Sequence, residues 1–121
     1  MANALYAKGK EKILSGSINF PSDTIKASLL SSAYTPNLST DEFWSTISAN
    51  LLNSSQTLAS KSVTAGVFDA ADVTFTAVTS GSTAKAIVIW KDTGTPSTSP
   101  LLVYIDTITG FPLATNGGDI T

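Results

Sequence analysis

Apolar and polar positions change period several times along the chain, and the changes mark out elements. Residues 3–15 read as a short helix. Asn3 is placed to cap it, Leu5, Tyr6, Ile13 and Leu14 form a loose apolar stripe, and Gly16 is placed to end it. Gly9 weakens this helix by about 1 kcal/mol relative to Ala, and Lys8, Lys10, Glu11 and Lys12 belong to its solvated face. After Pro21 and Ser22, residues 24–30 alternate, with Ile25, Ala27 and Leu29 on one face and Lys26 and Ser28 on the other, the mark of a half-buried strand. Residues 31–38 read as a loop carrying Tyr34 and Pro36. Ser39, three residues before Glu42, matches a capping box and predicts a helix to about Asn50, with Phe43, Ile47 and Leu51 one turn apart. Residues 53–60 are polar and read as a loop with a short strand.

The second half is denser in strand signals. Residues 62–68 carry Val63 and Val67, and 69–72 read as a turn. Val73, Phe75 and Ala77 alternate with Thr74 and Thr76, predicting a strand that 79–82 turn back as a hairpin. Residues 84–91 are apolar on both faces, Ile87 and Ile89 on one, Val88 and Trp90 on the other, which predicts a central strand covered on both sides. Residues 92–100, with Gly94, Pro96 and Pro100, read as a long flexible loop. Residues 101–105 are again apolar on both faces. Thr109-Gly110 turns the chain, 111–114 form one more short strand that Gly117-Gly118 breaks, and 119–121 read as the start of a strand cut short. Strands at intervals of about ten residues predict a mainly β chain: an antiparallel β-sandwich or small barrel with two short peripheral helices. No internal repeat or linker divides residues 1–121, so a single domain is expected.

Composition narrows the picture. Charged residues make up 13% of the chain, against a usual share of about 25%. Ser and Thr together number 34 and supply the polar surface instead. Such a surface tolerates close approach of another protein, because few charges need desolvating. The net charge is −2, and all seven basic residues are lysines, thinly spread. That pattern argues against nucleic-acid binding, which favours a dense cationic face rich in Arg. No stretch approaches the roughly 18 apolar residues of a membrane span. Lys8, Lys10 and Lys12 are followed by no long apolar run, so the N-terminus does not read as a secretory signal, and synthesis in a cytoplasm is expected.

Candidate chemistry is thin. With no His and no Cys, the commonest general base, metal ligand and thiolate nucleophile are missing. A Ser-His-Asp arrangement fails outright, and neither G-x-G-x-x-G nor a P-loop occurs. Lys26 and Ser28 share a strand face, which reads as wet surface rather than a Ser-Lys pair. Asp69, Asp72, Asp92, Asp106 and Asp119 fall near turns and strand ends, where calcium ligands occur, but Asp at a turn usually bonds its own backbone. Trp44, Trp90, Tyr34, Tyr104 and Phe111 offer a sugar-stacking platform or, more simply, core. Trp44 next to Phe43 cannot share its face, so one of the two is expected either at the surface or packed under a loop. Asn37-Leu-Ser39 and Asn53-Ser-Ser55 match the glycan acceptor pattern, a cheap match in a Ser-rich chain. Neither enzyme activity nor a cofactor is expected.

Several stretches resemble a family of small structural proteins of tailed bacteriophages and prophages. They are Met-Ala-Asn-Ala-Leu5-Tyr6-Ala-Lys-Gly9, Asp23-Thr-Ile-Lys26, Ala33-Tyr34-Thr-Pro36-Asn-Leu38 and Asp41-Glu-Phe43, then Gly66-Val-Phe68-Asp-Ala-Ala-Asp72-Val-Thr-Phe75-Thr-Ala-Val78, Ile87-Val-Ile-Trp90-Lys-Asp92-Thr-Gly94 and Asn116-Gly-Gly118-Asp-Ile-Thr121. The resemblance spans nearly the whole chain and carries no catalytic motif. It implies a structural role in the virion without choosing between head, neck and tail. A decoration protein holds a repeated lattice through many modest contacts, where avidity outweighs one tight pocket. A small, hydroxyl-rich β domain suits that role. The expectation is therefore a capsid decoration, or cement, protein on the capsid exterior, made in the host bacterial cytoplasm, that binds the major capsid protein and neighbouring virion subunits. A homo-oligomer of closed cyclic symmetry, such as a trimer, is expected. A neck, tail or fibre-associated adaptor and a carbohydrate-binding or adhesion module are the alternatives. Expected contact residues lie in the N-terminal helix (Tyr6, Lys8, Lys12), the loop at 34–38 (Tyr34, Pro36, Leu38), Trp44, and the loop at 92–100 (Thr93, Pro96).

Overall fold

A computed structural model describes residues 4–71, 73–76, 78, 80–106, 113–116 and 118 of the chain. Strand β1 (Ala4–Leu5) leads directly into helix α1 (Ala7–Leu14), then β2 (Ile25–Ser31), a single helical turn α2 (Trp44–Ile47) extended by a 3-10 turn (Ser48–Asn50), and β3 (Leu51–Thr57). A small hairpin of β4 (Ser62–Thr64) and β5 (Val67–Asp69) follows, then β6 (Thr83–Lys91), a 3-10 turn (Pro96–Thr98), β7 (Leu101–Ile105) and β8 (Leu113–Ala114). The main sheet is antiparallel in the order β1-β7-β6-β2-β3, with β8 added beside the start of β6; β4 and β5 form a sheet of their own. The sheet does not close on itself. The mainly β, antiparallel expectation holds, and the layered arrangement replaces the barrel.

The two strands read as apolar on both faces are the centre of the molecule. β6 lies between β2 and β7, and Ala84, Ala86, Val88 and Trp90 along it are buried while the intervening residues are half-buried. Register places Ser28 opposite Val88 and Leu30 opposite Ala86 on one face, and Ala27 opposite Ile89 and Leu29 opposite Ile87 on the other. Tyr6, Tyr34, Trp44, Ile47, Leu101 and Tyr104 seal the first face, and Ile18, Leu58, Phe75 and Val78 pack over the second. Side chains from other elements thus cover the sheet on each side, as its sequence requires.

The rim departs from the sequence reading. Helix α1 starts after Tyr6, because residues 4 and 5 are taken by β7, pairing Ala4 with Tyr104 and Leu5 with Val103. The Asn3 cap lies outside the described residues. Gly16 does end the helix, with φ at +83° and its N–H on the Ile13 carbonyl. The Ser39–Glu42 capping box does not form: Phe43 precedes α2 without a side-chain cap, and the Glu42 carboxylate goes to Lys12. Residues 53–57 belong to a full seven-residue edge strand rather than mostly to a loop.

The stretch 62–68 is a hairpin, turned by Ala65 and Gly66 with φ of +52° and +79°, the signs a two-residue type I′ turn requires. Residues 73–76 form no named strand; Phe75 and Val78 are instead buried plugs under the sheet, and Ala77 lies outside the described residues. Of the expected hairpin turn at 79–82, Thr79 lies outside the described residues, and among those described β6 pairs with β2, β7 and β8. The 92–100 loop is folded back on itself: the Ser99 hydroxyl donates to the Thr95 carbonyl and accepts from the Thr93 N–H, and Ser99 and Pro100 are buried. The expected turn at Thr109-Gly110, Phe111 of the last short strand, Gly117 and residues 119–121 lie outside the described residues.

Candidate functional site

Most polar side chains the sequence singled out are spent on holding the chain together. The Tyr6 hydroxyl lies 2.7 Å from the Tyr34 hydroxyl, and Tyr34 donates to the Asp41 carboxylate at 2.8 Å. That carboxylate also accepts the Asn37 N–H, so the chain ties α1 to the 34–41 loop. Burial pushes both tyrosines well above the usual tyrosine value; for Tyr34 the Tyr6 hydrogen bond and the Asp41 charge add to it. Tyr104 is pushed up to about 12, by burial first and then by the Asp106 carboxylate.

A second chain runs through the first core. The Trp44 and Trp90 rings stack with centroids 4.5 Å apart and planes within 4°. The Trp90 indole N–H donates to Ser28 Oγ at 2.8 Å, and Ser28 Oγ lies 2.6 Å from Ser55 Oγ. Lys26, on the same sheet face as Ser28, turns its ammonium to Asp92 at 2.9 Å and sits over the Trp90 ring. The wet surface expected for this face is not there: Ser28 is buried in a core hydrogen bond and Lys26 is half-buried in an ion pair.

The other charges are similarly engaged. Lys12 reaches Glu42 at 2.8 Å and lies over the Phe43 ring. Asp23 accepts the Asn19 N–H at 2.7 Å and pairs with Lys91 at 3.3 Å, and Lys61 donates to its carbonyl. The Asn19 N–H and then Lys91 hold the Asp23 carboxyl below the usual carboxylate range, as the Gly94 N–H and then Lys26 do for Asp92. Asp69 bonds the N–H of Ala70. No group of three metal-ligating side chains occurs among the described residues. Asp72 and Asp119 lie outside them.

The expected contact residues separate accordingly. Tyr6, Tyr34, Pro36 and Trp44 are buried, so the exposure on which their choice rested is not there. Of the residues weighed for a sugar-stacking platform, Trp44, Trp90, Tyr34 and Tyr104 are core, and Phe111 lies outside the described residues. Leu38 packs half-buried against the first core, Lys8 pairs with Glu11, and Lys12 is taken by Glu42. Thr93 and Pro96 are exposed.

Two apolar surface features complete the site. A shallow groove at α1, about 200 Å³, is lined by Leu5, Lys10, Ile13 and Leu14, with Leu14 87% exposed. The β4–β5 hairpin exposes Val63 and Val67 by 50% and 62%. The sequence reading placed Leu14 in the buried stripe; the adjacency of Ile13 and Leu14 was the available signal, since neighbours on a helix do not share a face. No helix among the described residues is long and apolar enough to cross a membrane. Compared with known proteins, the chain matches no family model, no curated protein and no solved structure.

Proposed function

We propose that this chain is a structural component of a tailed-phage virion, and within it a capsid decoration protein that bridges neighbouring major-capsid subunits on the outside of the shell. The reading rests on the phage-like motifs spread along the sequence and on one observation in particular. The side chains with chemical potential are tied to one another inside the fold, while hydroxyls and small apolar patches make up much of what faces outward. Such a surface supports repeated modest contacts rather than turnover of a substrate. The burial of Trp44, Trp90, Tyr34 and Tyr104 removes most of the platform that a carbohydrate-binding reading needs.

Copy number tests the proposal. Quantitative mass spectrometry of purified particles, with a cryo-EM map of the head, is expected to find hundreds of copies at repeated positions on the capsid exterior. A dozen copies or fewer at one vertex would replace decoration with a neck or tail role. Absence from the particle would overturn the virion reading altogether.

A further inference from the structure

We infer that this chain docks onto a second copy of itself head to tail, the β4–β5 hairpin of one copy seated in the α1 groove of the next. The inference does not rest on the virion reading, because it concerns the isolated chain.

The two surfaces are both apolar and carry opposite charges. The groove is shallow and apolar, and Lys10 lines it together with Leu5, Ile13 and Leu14. Lys10 is exposed, whereas Lys8 is paired with Glu11 and Lys12 with Glu42. The hairpin is a narrow two-stranded ribbon. Register sets Thr64 opposite Val67 and Ser62 opposite Asp69, so Val67 and Asp69 project from the same face, away from the side on which Phe68 packs against Phe20. An exposed valine beside an exposed carboxylate thus meets an apolar groove beside an exposed ammonium. Contact between two grooves would bring lysine against lysine, and contact between two hairpins would bring aspartate against aspartate. The unlike pairing is the one favoured.

The groove is lined by Leu5, Lys10, Ile13 and Leu14, and the hairpin of the same copy is held elsewhere, Phe68 against Phe20, so the contact is made between copies. Each copy carries one groove and one hairpin, and repetition gives a ring or an open row. The patches are small, so the association is weak and depends on concentration.

Sedimentation equilibrium of the purified chain over a wide concentration series tests this with two exposed substitutions, Leu14→Glu in the groove and Val67→Lys on the hairpin. Circular dichroism and urea unfolding check that both variants fold. The parent chain is expected to gain mass with concentration and each variant alone to stay at monomer mass. An equimolar mixture of the two variants is expected to form a dimer and nothing larger, because one intact groove and one intact hairpin remain. A parent chain that stays monomeric throughout overturns the inference. So does a variant that still self-associates, or a mixture that does not pair.

Discussion

The Tyr6–Tyr34–Asp41 chain shows what a single hydroxyl does in this core. Tyr34 takes part in two hydrogen bonds, one with a fully buried tyrosine and one with a carboxylate, while the Tyr6 hydroxyl bonds Tyr34 alone among the described residues. Removing the Tyr34 hydroxyl leaves the Tyr6 hydroxyl buried without a partner, and an unsatisfied buried group costs its desolvation. Tyr34→Phe is expected to destabilise the chain by about 1–3 kcal/mol in urea unfolding, and Tyr6→Phe by about 1 kcal/mol, since Tyr34 keeps its bond to Asp41. Equal effects, or the reverse order, would contradict this account. Neither the pairing nor the Trp44–Trp90 stack was legible from spacing. The residues involved lie 28 and 46 positions apart, and only the sheet brings them together.

At the scale of elements, α1 is decided by its close approach to β7 rather than by its own propensity. Gly9 is the buried residue of the helix, and a Cβ there would run into the Leu101 carbonyl oxygen and lie 3.0 Å from the Leu102 Cα. Read locally, Gly9 is a weakness of about 1 kcal/mol that alanine would repair. Packed against backbone, it is the residue that lets helix and strand touch. Gly9→Ala is therefore expected to lower the urea midpoint, by about 1–3 kcal/mol for a strained overpacked contact. A rise in the midpoint would mean that helix propensity outweighs the contact. The same competition explains why the Ser39–Glu42 capping box fails. The Glu42 carbonyl accepts the Leu101 N–H and its carboxylate accepts from the Lys12 ammonium, and both are tertiary demands.

Across the whole molecule, stability should form a plateau in pH bounded by the buried tyrosines and the paired aspartates. Tyr6, Tyr34 and Tyr104 have folded values above the tyrosine value of 10.0, so the fold favours their neutral forms. That contribution is fully present below about pH 10 and is lost as pH rises towards and through the folded values. Asp23 and Asp92 have folded values below 3.8; their contribution is present above that pH and lost as pH falls through the folded values. Alkaline titration followed by tyrosinate absorbance and circular dichroism is expected to show these tyrosines ionising together with unfolding. Tyrosinate appearing at its ordinary pH in an intact fold would show that the hydroxyls are open to solvent.

The sequence by itself determined the class of the fold and its centre. Two-sided apolar runs at 84–91 and 101–105 favour covered central strands, and the alternation at 24–30 favours another strand, because a period of two carries both burial and face. The tertiary structure alone decided the rim. Residues 4 and 5, Gly9, Glu42 and Phe75 each satisfy a partner distant in sequence, and no local pattern encodes a distant partner. It also decided the candidate surface. Composition predicts a hydroxyl-rich exterior, but whether Tyr34 and Trp44 or Leu14 and Val67 reach solvent depends on which side chains the sheet faces consume. They take the aromatics, whose large area gains most from burial, and leave an aliphatic groove and a valine-bearing hairpin outside.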